Sequence, residues 1–411
     1  MQNKKSETAS VVVIGGGIFG CAIAYYYTKN NPWKKIIVLE RNELCNSATS
    51  RAAALMTIIR SKRSYIPLAL ETYHAVKEME KLLGESLDMR TVGMLHVAAS
   101  EQKVKDLEGI MEIAKEFEQP AEYISNNEAH KMAPWLKTDE AEKIGFMPNE
   151  AYCDPYLLGT YYARCAKIQG ADMRQGTEVN ELMMDGNNAV GVSTPDKNIF
   201  ADTVIIAAGA WAPILAAQAG IGLPMAPVRS QYWITEKAAI FPINSPMALL
   251  PDAQAYARPE GGSLLFGIRE TNSFSVSPKD IPPDISHFSF SPDRGVADLG
   301  EVIDKLGRFF PKVYDIGLKY YIAGFSGYTP DGNLSMGKAP GINNLLLATG
   351  CVGAGISVSG GVGFAFSEMA AGRANPYDFS DFDILRFGKI NPFGNEWLNK
   401  CAMARSKKVS G

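Results

Sequence analysis

The sequence predicts a mixed α/β protein (α+β overall), in which parallel strand–helix units are interrupted by an inserted, mixed or antiparallel β-sheet. Near the start, the β-branched run Val11–Ile14, a helical stretch over 17–28 and a second β-branched run over 34–40 form one strand–helix–strand unit. Residues 343–372 again read as strand, glycine-rich turn and helix. Between these ends, 91–100 and 229–269 alternate between apolar and polar residues, which is typical of antiparallel strands.

Size and composition indicate a globular protein that acts on small molecules. A chain of 411 residues exceeds what one hydrophobic core usually serves, so two domains are expected. Apolar residues make up 46% of the chain, and 41 Lys and Arg nearly balance 44 Asp and Glu. This composition excludes a disordered chain and gives no electrostatic reason to expect a nucleic-acid partner.

The N-terminus and the cysteines indicate the compartment. The opening segment "MQNKKSETAS" is polar, and glycines interrupt the apolar run that follows it. A signal peptide or a membrane span is therefore not expected, and we predict a cytoplasmic protein. The six cysteines are scattered without metal-ligand spacing, so the sequence predicts reduced thiols and no metal site.

The first glycine cluster has the spacing of a dinucleotide-binding turn. In the segment "GGGIFG", Gly15 allows a tight turn, Gly17 lets the backbone approach a pyrophosphate, and Gly20 allows close packing of helix and strand. Glu40 ends the second strand, where its carboxylate can accept hydrogen bonds from ribose hydroxyls. The same carboxylate would repel a 2′-phosphate, which disfavours NADP. The alternative is a purely structural glycine-rich turn.

A second glycine-rich turn favours FAD over NAD. The segment "GCVGAGIS" (350–357) follows a buried strand and offers backbone N–H groups and a helix start. A helix N-terminus of this kind would stabilise the negative charge of a reduced flavin. A nicotinamide enzyme needs only the first unit. The alternative is a helix that packs closely against another element through its glycines.

Taken together, the segments resemble one enzyme family along almost the whole chain. The match includes "VVVIGGGIFG", "NSATSRAAALMTIIRS", "TVIIAAGAWAPIL", "PVRSQYWIT", "YARPEGGSLLFGIRE" and "GYTPDGNLSMG". The chain resembles FAD-dependent amine and amino-acid oxidoreductases of the D-amino-acid oxidase superfamily, in the sarcosine oxidase and glycine oxidase branch. This resemblance implies a discontinuous FAD domain of the glutathione-reductase (Rossmann) type with an inserted substrate domain. It also implies oxidation of a C–N bond to an imine by hydride transfer to flavin N5.

The resemblance also divides the chain. It implies an FAD-binding domain over 1–84, 149–215 and 323–385, a substrate domain over 85–148 and 216–322, and a C-terminal tail over 386–411. The polar end "ARSKKVSG" is expected to be a loose tail.

Carried over by position, the resemblance implies a set of cofactor-binding residues. They are Gly15, Gly17, Ile18, Phe19, Gly20, Glu40 and Arg41 at the adenosine end, Thr49, Ser50 and Arg51 along the pyrophosphate, Val179 at the adenine, Ala208, Gly209 and Trp211 by the ribityl chain, and Gly353, Gly355 and Ile356 at the flavin pyrimidine edge.

For the substrate side, the resemblance implies two arginines and two tyrosines. Arg60 inherits a position from which an Arg approaches the substrate carboxylate, and a guanidinium can bind a carboxylate through two parallel hydrogen bonds. The alternative for Arg60 is a solvated charge in a basic cluster. Tyr256 and Tyr328 match tyrosines of the substrate cavity. Arg269 is either a second carboxylate anchor or a partner for Glu270.

Two positions depart from the family pattern. Ser326 stands where monomeric sarcosine oxidases carry the Cys that binds flavin covalently, and where glycine and D-amino-acid oxidases carry an Arg for the carboxylate. We therefore expect non-covalent FAD. Ser357 replaces a Lys, which leaves the activation of oxygen and the exact substrate open.

These observations lead to one main hypothesis and two alternatives. The main one is an enzyme that oxidises glycine, sarcosine, proline or D-amino acids and passes electrons to O2 or another acceptor. The second is a flavin-carrying subunit of a larger dehydrogenase complex, with little activity alone; a homo-oligomer is also open. A nicotinamide dehydrogenase comes third.

Overall fold

The computed structural model describes residues 5–285 and 290–408, which form two large sheets, a small third sheet and nine helices within these ranges. The strands are β1 (Lys5–Ile14), β2 (Ile36–Leu39), β3 (Leu55–Met56), β4 (Arg90–Thr91), β5 (Met94–Ala98), β6 (Glu122–Ile124), β7 (Lys143–Met147), β8 (Ala151–Tyr152), β9 (Asp172–Arg174), β10 (Glu181–Asp185), β11 (Asn188–Ser193), β12 (Lys197–Ile206), β13 (Ala226–Thr235), β14 (Met247–Leu250), β15 (Ala255–Glu260), β16 (Ser263–Ile268), β17 (Leu318–Tyr328), β18 (Ser335–Lys338) and β19 (Leu345–Thr349). The helices are α1 (Ile18–Asn30), α2 (Ile66–Leu83), α3 (Glu101–Glu116), α4 (Asn126–Met132), α5 (Pro155–Ile168), α6 (Ala212–Gln218), α7 (Pro292–Gly307), α8 (Ser359–Ala370) and α9 (Asn395–Ser406).

The first sheet has a parallel core in the order β9–β2–β1–β12–β19. Its central strand β1 ends in four β-branched residues, Val11–Ile14, that are buried on both faces, as expected of a parallel strand covered by helices. Strands β10 and β11 add an antiparallel hairpin to the first half of β12. The predicted strand–helix–strand unit is therefore present as β1, α1 and β2, with its glycines at the carboxyl end of β1.

The helices on one face of this sheet pack closely against each other. Helix α1 is buried along nearly its whole length and lies against α5 and α8. A Cβ added to Gly363 of α8 would lie 2.8 Å from the backbone of Ala22 in α1. The contact between α1 and α8 therefore requires a glycine, and it places the helix after the second glycine-rich segment beside the helix after the first.

The second sheet has the order β17–β13–β16–β15–β14–β5–β7–β6 and is antiparallel except where β14 pairs with β5. The apolar side of α7 packs with this sheet in a core of its own. The alternation over 91–100 and 229–269 correctly predicted antiparallel strands. The fold class expected from the sequence is confirmed.

The strands of the first sheet lie within the segments predicted for the FAD-binding domain, and those of the second sheet lie within the segments predicted for the substrate domain. The exception is β17, which runs across the predicted boundary at residue 323. A small sheet of β3, β8 and β4 joins segments from both predicted domains. The exact domain boundaries stay a prediction.

The C-terminal segment differs from the expected loose tail. Residues 395–406 form α9, which packs against β13 and β17. Arg405 is only 1% exposed, and its Nη1 lies 3.0 Å from Oε2 of Glu270. This buried ion pair fastens the end of the chain to the second sheet. The last residues, 409–411, lie outside the described part.

The described ranges contain neither a candidate membrane-spanning helix nor a candidate metal-binding cluster. Across 5–285 and 290–408, none of the helices is long and apolar enough to cross a membrane. The same residues contain no group of three or more His, Cys, Asp or Glu side chains that could hold a metal ion.

Candidate functional site

The first glycine turn connects β1 to α1 with almost no room for side chains. Gly15 has φ +108°, and a Cβ there would lie 2.5 Å from the carbonyl oxygen of Ala207. A Cβ on Gly20 would lie 1.9 Å from the carbonyl oxygen of Gly15. A Cβ on Gly17 would meet only Oγ1 of Thr49, at 3.5 Å. Gly15 and Gly20 are thus needed by the fold itself, whereas Gly17 leaves open space.

Two side chains fix the geometry of this turn. One carboxylate oxygen of Glu40 accepts a hydrogen bond from the Gly16 N–H at 2.8 Å, and the other accepts one from the Asn42 N–H at 2.9 Å. Oγ1 of Thr49 accepts a hydrogen bond from the Ile18 N–H at 3.0 Å, in the first turn of α1. The N-cap, Gly17, has no side-chain cap. Apart from the Ile18 N–H, which Thr49 accepts, the N-terminus of α1 has no side-chain cap and borders the open space at Gly17, as an anion-binding site requires.

A cation–aromatic pair lies beyond Glu40. The guanidinium of Arg41 lies 4.6 Å from the ring centroid of Trp211, and its Nη1 is 3.7 Å from the carboxylate of Glu178. Its Nε is buried and has no hydrogen-bond partner within the described residues. A planar ligand with acceptor atoms would satisfy this donor.

The second glycine turn is an irregular segment between β19 and α8. Gly353 has φ +75° and Val352 has φ +44°, conformations that a right-handed helix excludes. Helix α8 consequently begins at Ser359, beyond the segment in which the sequence predicted a helix start. The Gly353 N–H donates to Oγ of Ser326 at 3.2 Å. The N–H groups of this segment thus come from a turn and not from a helix end.

Both glycine turns line a single cavity of about 600 Å³. This volume lies within the range of about 300–1,000 Å³ that is typical of pockets for organic ligands. Of the predicted site residues, the cavity is lined by Gly15, Gly17, Ile18, Phe19, Glu40, Arg41, Thr49, Arg51, Val179, Ala208, Gly209, Trp211, Tyr256, Arg269, Tyr328, Gly353, Gly355 and Ile356. Gly20, Ser50 and Arg60 do not line it.

At the second sheet, the cavity is lined by Tyr256, Arg269 and Tyr328. The guanidinium of Arg269 lies 5.1 Å from the ring centroid of Tyr256. Burial raises the pKa of the Tyr256 phenol, and the nearby Arg269 partly offsets this rise. Pairing of Arg269 with Glu270 was one expectation, but Glu270 instead lies between Arg405 at 3.0 Å and Arg229 at 3.8 Å. That alternative for Arg269 is wrong, because Glu270 points into the buried pairs.

Arg60 lies behind the cavity wall. It is only 4% exposed, so the alternative of a solvated charge is wrong. Its guanidinium donates to Oγ of Ser357 at 2.5 Å and to the carbonyl oxygen of Thr57 at 3.0 and 3.1 Å. Ser357 itself lines the cavity. The serine therefore stands between the arginine and any ligand.

Three further residues of this region were missed by sequence reasoning. Cys351 lines the cavity, with Sγ 3.2 Å from Oγ of Ser326. Lys408 also lines it, and its Nζ donates to the carbonyl oxygen of Val352 at 2.8 Å. Glu150 is buried and accepts hydrogen bonds from the N–H groups of Ile58 at 2.6 Å and Ile59 at 2.9 Å, and burial raises its pKa to about 7. Cys351 stands in the glycine-rich segment 350–357 and could have been noted there, whereas no local pattern marks Glu150 or Lys408.

The glycine turns, the cavity and the polar cluster agree with the comparison to known families. A family model described as "FAD dependent oxidoreductase" matches residues 10–369. The chain belongs to this family of FAD-dependent oxidoreductases.

Relatives within the family include enzymes of very different length. The chain is 27% identical to the human mitochondrial sarcosine dehydrogenase over 387 residues, which cover 93% of this chain and 42% of that protein. It is 24% identical to glycine oxidase of Geobacillus kaustophilus (strain HTA426), with 92% and 98% covered. The chain spans less than half the length of the sarcosine and dimethylglycine dehydrogenases that it matches.

A similar fold is found among solved structures of the family. L-proline dehydrogenase from P. horikoshii superposes with a TM-score of 0.81 at 24% identity, covering 93% of this chain and 98% of that chain. The resemblance to the sarcosine oxidase and glycine oxidase branch is thereby confirmed.

The residues present fit FAD, the cofactor of the family. The uncapped N-terminus of α1 suits a pyrophosphate, and the open space at Gly17 admits it. The unpartnered Nε of Arg41 and the ring of Trp211 lie on the same cavity wall. The second glycine turn lines the same cavity, so one elongated ligand can contact both turns.

Proposed function

We propose that the chain binds FAD non-covalently and oxidises the C–N bond of an amino acid or N-substituted amino acid to an imine, which water hydrolyses. One observation carries this proposal: a single cavity joins the anion-binding turn at Gly17 to the cationic and phenolic cluster at Arg269. The named relatives act on sarcosine, dimethylglycine and glycine, which all have an amine next to a carboxylate. Bound FAD would supply the acceptor for the hydride that leaves the substrate carbon.

In this proposal, the chain itself binds and orients the substrate. Arg269 binds the carboxylate. Its guanidinium lines the cavity beside the ring of Tyr256, and none of the described residues that line this end of the cavity offers it a carboxylate partner. The phenols of Tyr256 and Tyr328 orient the amine. Arg60 acts indirectly, since Ser357 separates it from the ligand and its bond to Ser357 fixes that part of the wall.

Two largely buried phenols line the substrate end of the cavity. Tyr328 is 2% exposed, and burial raises the pKa of the Tyr256 phenol, which keeps that phenol protonated near neutral pH. Oxidation of a neutral amine by hydride loss needs orientation and desolvation more than a base.

The test is anaerobic addition of glycine, sarcosine, L-proline and D-amino acids to the FAD-loaded chain, with the visible flavin bands followed. Bleaching by at least one of them is expected; no bleaching by any would contradict the proposal. Arg269→Met should weaken carboxylate binding by about tenfold or more, since a charged hydrogen bond contributes about 1.5–3 kcal/mol. The matched control is Arg294→Met, because Arg294 lies over the ring of Phe274 at 4.8 Å and does not line the cavity.

Non-covalent binding is tested separately by acid denaturation. Ser326 cannot form the thioether, but the thiol of Cys351 lies beside it in the cavity. Complete release of flavin into the supernatant is expected. Flavin that stays on the protein would contradict this part of the proposal, and peptide mass mapping would then test Cys351 as the attachment point.

A second candidate is a flavin-carrying subunit of a larger dehydrogenase. It is favoured by the match to parts of larger enzymes, since the chain aligns with less than half the length of the sarcosine and dimethylglycine dehydrogenases. A chain that is monodisperse and reduced by substrate alone supports the enzyme. A chain that is stable only beside another protein supports the subunit. Comparing reoxidation by O2 with reoxidation by an artificial acceptor identifies the electron acceptor.

A further inference from the structure

The C-terminal segment brings a lysine into the proposed substrate end of the cavity. Helix α9 ends at Ser406, and Lys408 lies two residues beyond it. Its Nζ donates to the carbonyl oxygen of Val352 at 2.8 Å, in the second glycine turn. A Cβ on Gly353 would lie 2.9 Å from the phenol oxygen of Tyr328 and 3.4 Å from Nζ of Lys408. The ammonium and the phenol thus approach the same backbone position.

The segment that carries this lysine is firmly attached to the second sheet. Arg405 pairs with Glu270 at 3.0 Å and donates to the carbonyl oxygen of Ile268 at 3.2 Å. The carbonyl oxygen of Ser406 accepts a hydrogen bond from Gln254 at 3.2 Å. The backbone of the segment is therefore held on both sides of the cavity wall, and Lys408 is positioned by buried contacts.

The charges at this end of the cavity are unbalanced. Lys408 and Arg269 both line the cavity and also a small adjoining chamber beside Tyr256. The acidic residues among the described cavity-lining residues are Glu40, Glu43 and Glu178, which belong to the segments around the first glycine turn. Two cations at one end without a lining carboxylate favour a ligand with more than one negative charge.

We propose that Lys408 and Arg269 form a two-cation binding site, so that the preferred substrate is an amino acid that carries a second carboxylate. This proposal rests on the proposed function for the identity of the reaction. Arg269 binds one carboxylate through its fork of donors, and the Lys408 ammonium binds the other as a point charge. The C-terminal segment then contributes directly to specificity.

Substrate binding is coupled to a proton at Lys408. Burial and the neighbouring cations Arg269, Arg60 and Arg405 lower the pKa of the Lys408 ammonium well below its ordinary value, with Cys351 acting in the opposite direction. The other groups facing it are the phenols of Tyr256 and Tyr328. A bound carboxylate stabilises the ammonium, so it raises this pKa. Affinity for a dianion should consequently be highest at low pH and fall as pH rises through the Lys408 pKa.

The experiment titrates the FAD-loaded full chain with acetate and with malonate and follows the visible flavin spectrum. The variants are Lys408→Met, Lys408→Arg and, as matched control, Lys407→Met, because Lys407 is the exposed neighbour in the same segment. Malonate should bind about tenfold or more tightly than acetate to the unchanged chain. Lys408→Met should remove this preference and its pH dependence. Lys408→Arg should keep the preference but lose the pH dependence, and Lys407→Met should change neither.

Each result separates this inference from the proposed function. If Lys408→Met binds malonate as the control does, while amino acids still bleach the flavin, the role of Lys408 is refuted and the proposed function stands. If Lys408→Met loses malonate binding but no amino acid reduces the flavin, the anion site is real and the proposed function fails. Should Lys408→Met fail to fold, the pH profile of Lys408→Arg decides: a profile like that of the unchanged chain refutes the role.

Discussion

Replacing Gly17 with Ala tests whether the first glycine turn binds a pyrophosphate. The added Cβ would contact only Oγ1 of Thr49, at an ordinary 3.5 Å, and would otherwise enter open space on the cavity wall. The folded chain should lose less than about 1 kcal/mol, since glycine at an N-cap is only moderately better than alanine. A methyl group at this position would keep a phosphate away from the N–H groups of α1. Losing one charged hydrogen bond costs about 1.5–3 kcal/mol, so FAD should bind about 10- to 100-fold more weakly.

The assay is titration of FAD into the apoprotein, followed by quenching of flavin fluorescence, together with the denaturant midpoint of the apoprotein. The matched control is Gly109→Ala in α3, where a Cβ meets nothing within 4 Å and no lining residue is changed. The control should keep its FAD affinity and be equally or slightly more stable. If Gly17→Ala binds FAD as tightly as the control does, the phosphate cannot lie against this turn.

Three further predictions concern groups around the cavity. Arg60→Met should lower the free energy of unfolding, measured in urea, by about 1–3 kcal/mol, because the hydrogen bonds of Arg60 to Ser357 and Thr57 are lost. Its affinity for acetate, measured by spectral titration, should stay within about threefold. Burial raises the pKa of Glu150 to about 7 in the folded chain, so the unfolded chain loses this proton first as pH rises. The free energy of unfolding should therefore fall between about pH 5 and 7, by up to about 1.4 kcal/mol per pH unit. Urea unfolding of Glu150→Gln should lack this slope, and an equal slope would contradict the assignment. Cys351 is the one described cysteine that is not fully buried, so it should be the first thiol that iodoacetamide alkylates in the apoprotein, and FAD should protect it. Peptide mass mapping measures this labelling. Equal labelling with and without FAD would place the cofactor elsewhere.

The parts of the site that come from short sequence segments were predictable. The turn after β1 needs glycine at two positions, because a Cβ on Gly15 would lie 2.5 Å from the carbonyl oxygen of Ala207 and a Cβ on Gly20 would lie 1.9 Å from that of Gly15. Such a requirement leaves a spacing pattern in the sequence. The strands of the second sheet were also predictable from local strand-like segments, although β5, β14 and β16 are buried along their whole length and not on one face only.

The parts that depend on distant contacts could not be predicted in this way. Whether Arg60 reaches a ligand depends on Ser357, which intervenes from the other end of the chain. The position of Lys408 depends on the buried pair of Arg405 and Glu270. The polar C-terminal octapeptide gives no local sign that its arginine is buried. The substrate side was therefore predicted less completely than the cofactor side.

The most direct measurement is the flavin content of the purified full chain. If one cavity joins both glycine turns around one cofactor, the purified protein should be yellow and should release about one FAD per chain on acid denaturation. The Gly17→Ala variant, purified at matched concentration, should have lost this FAD. A colourless protein that takes up no added FAD would contradict the central claim.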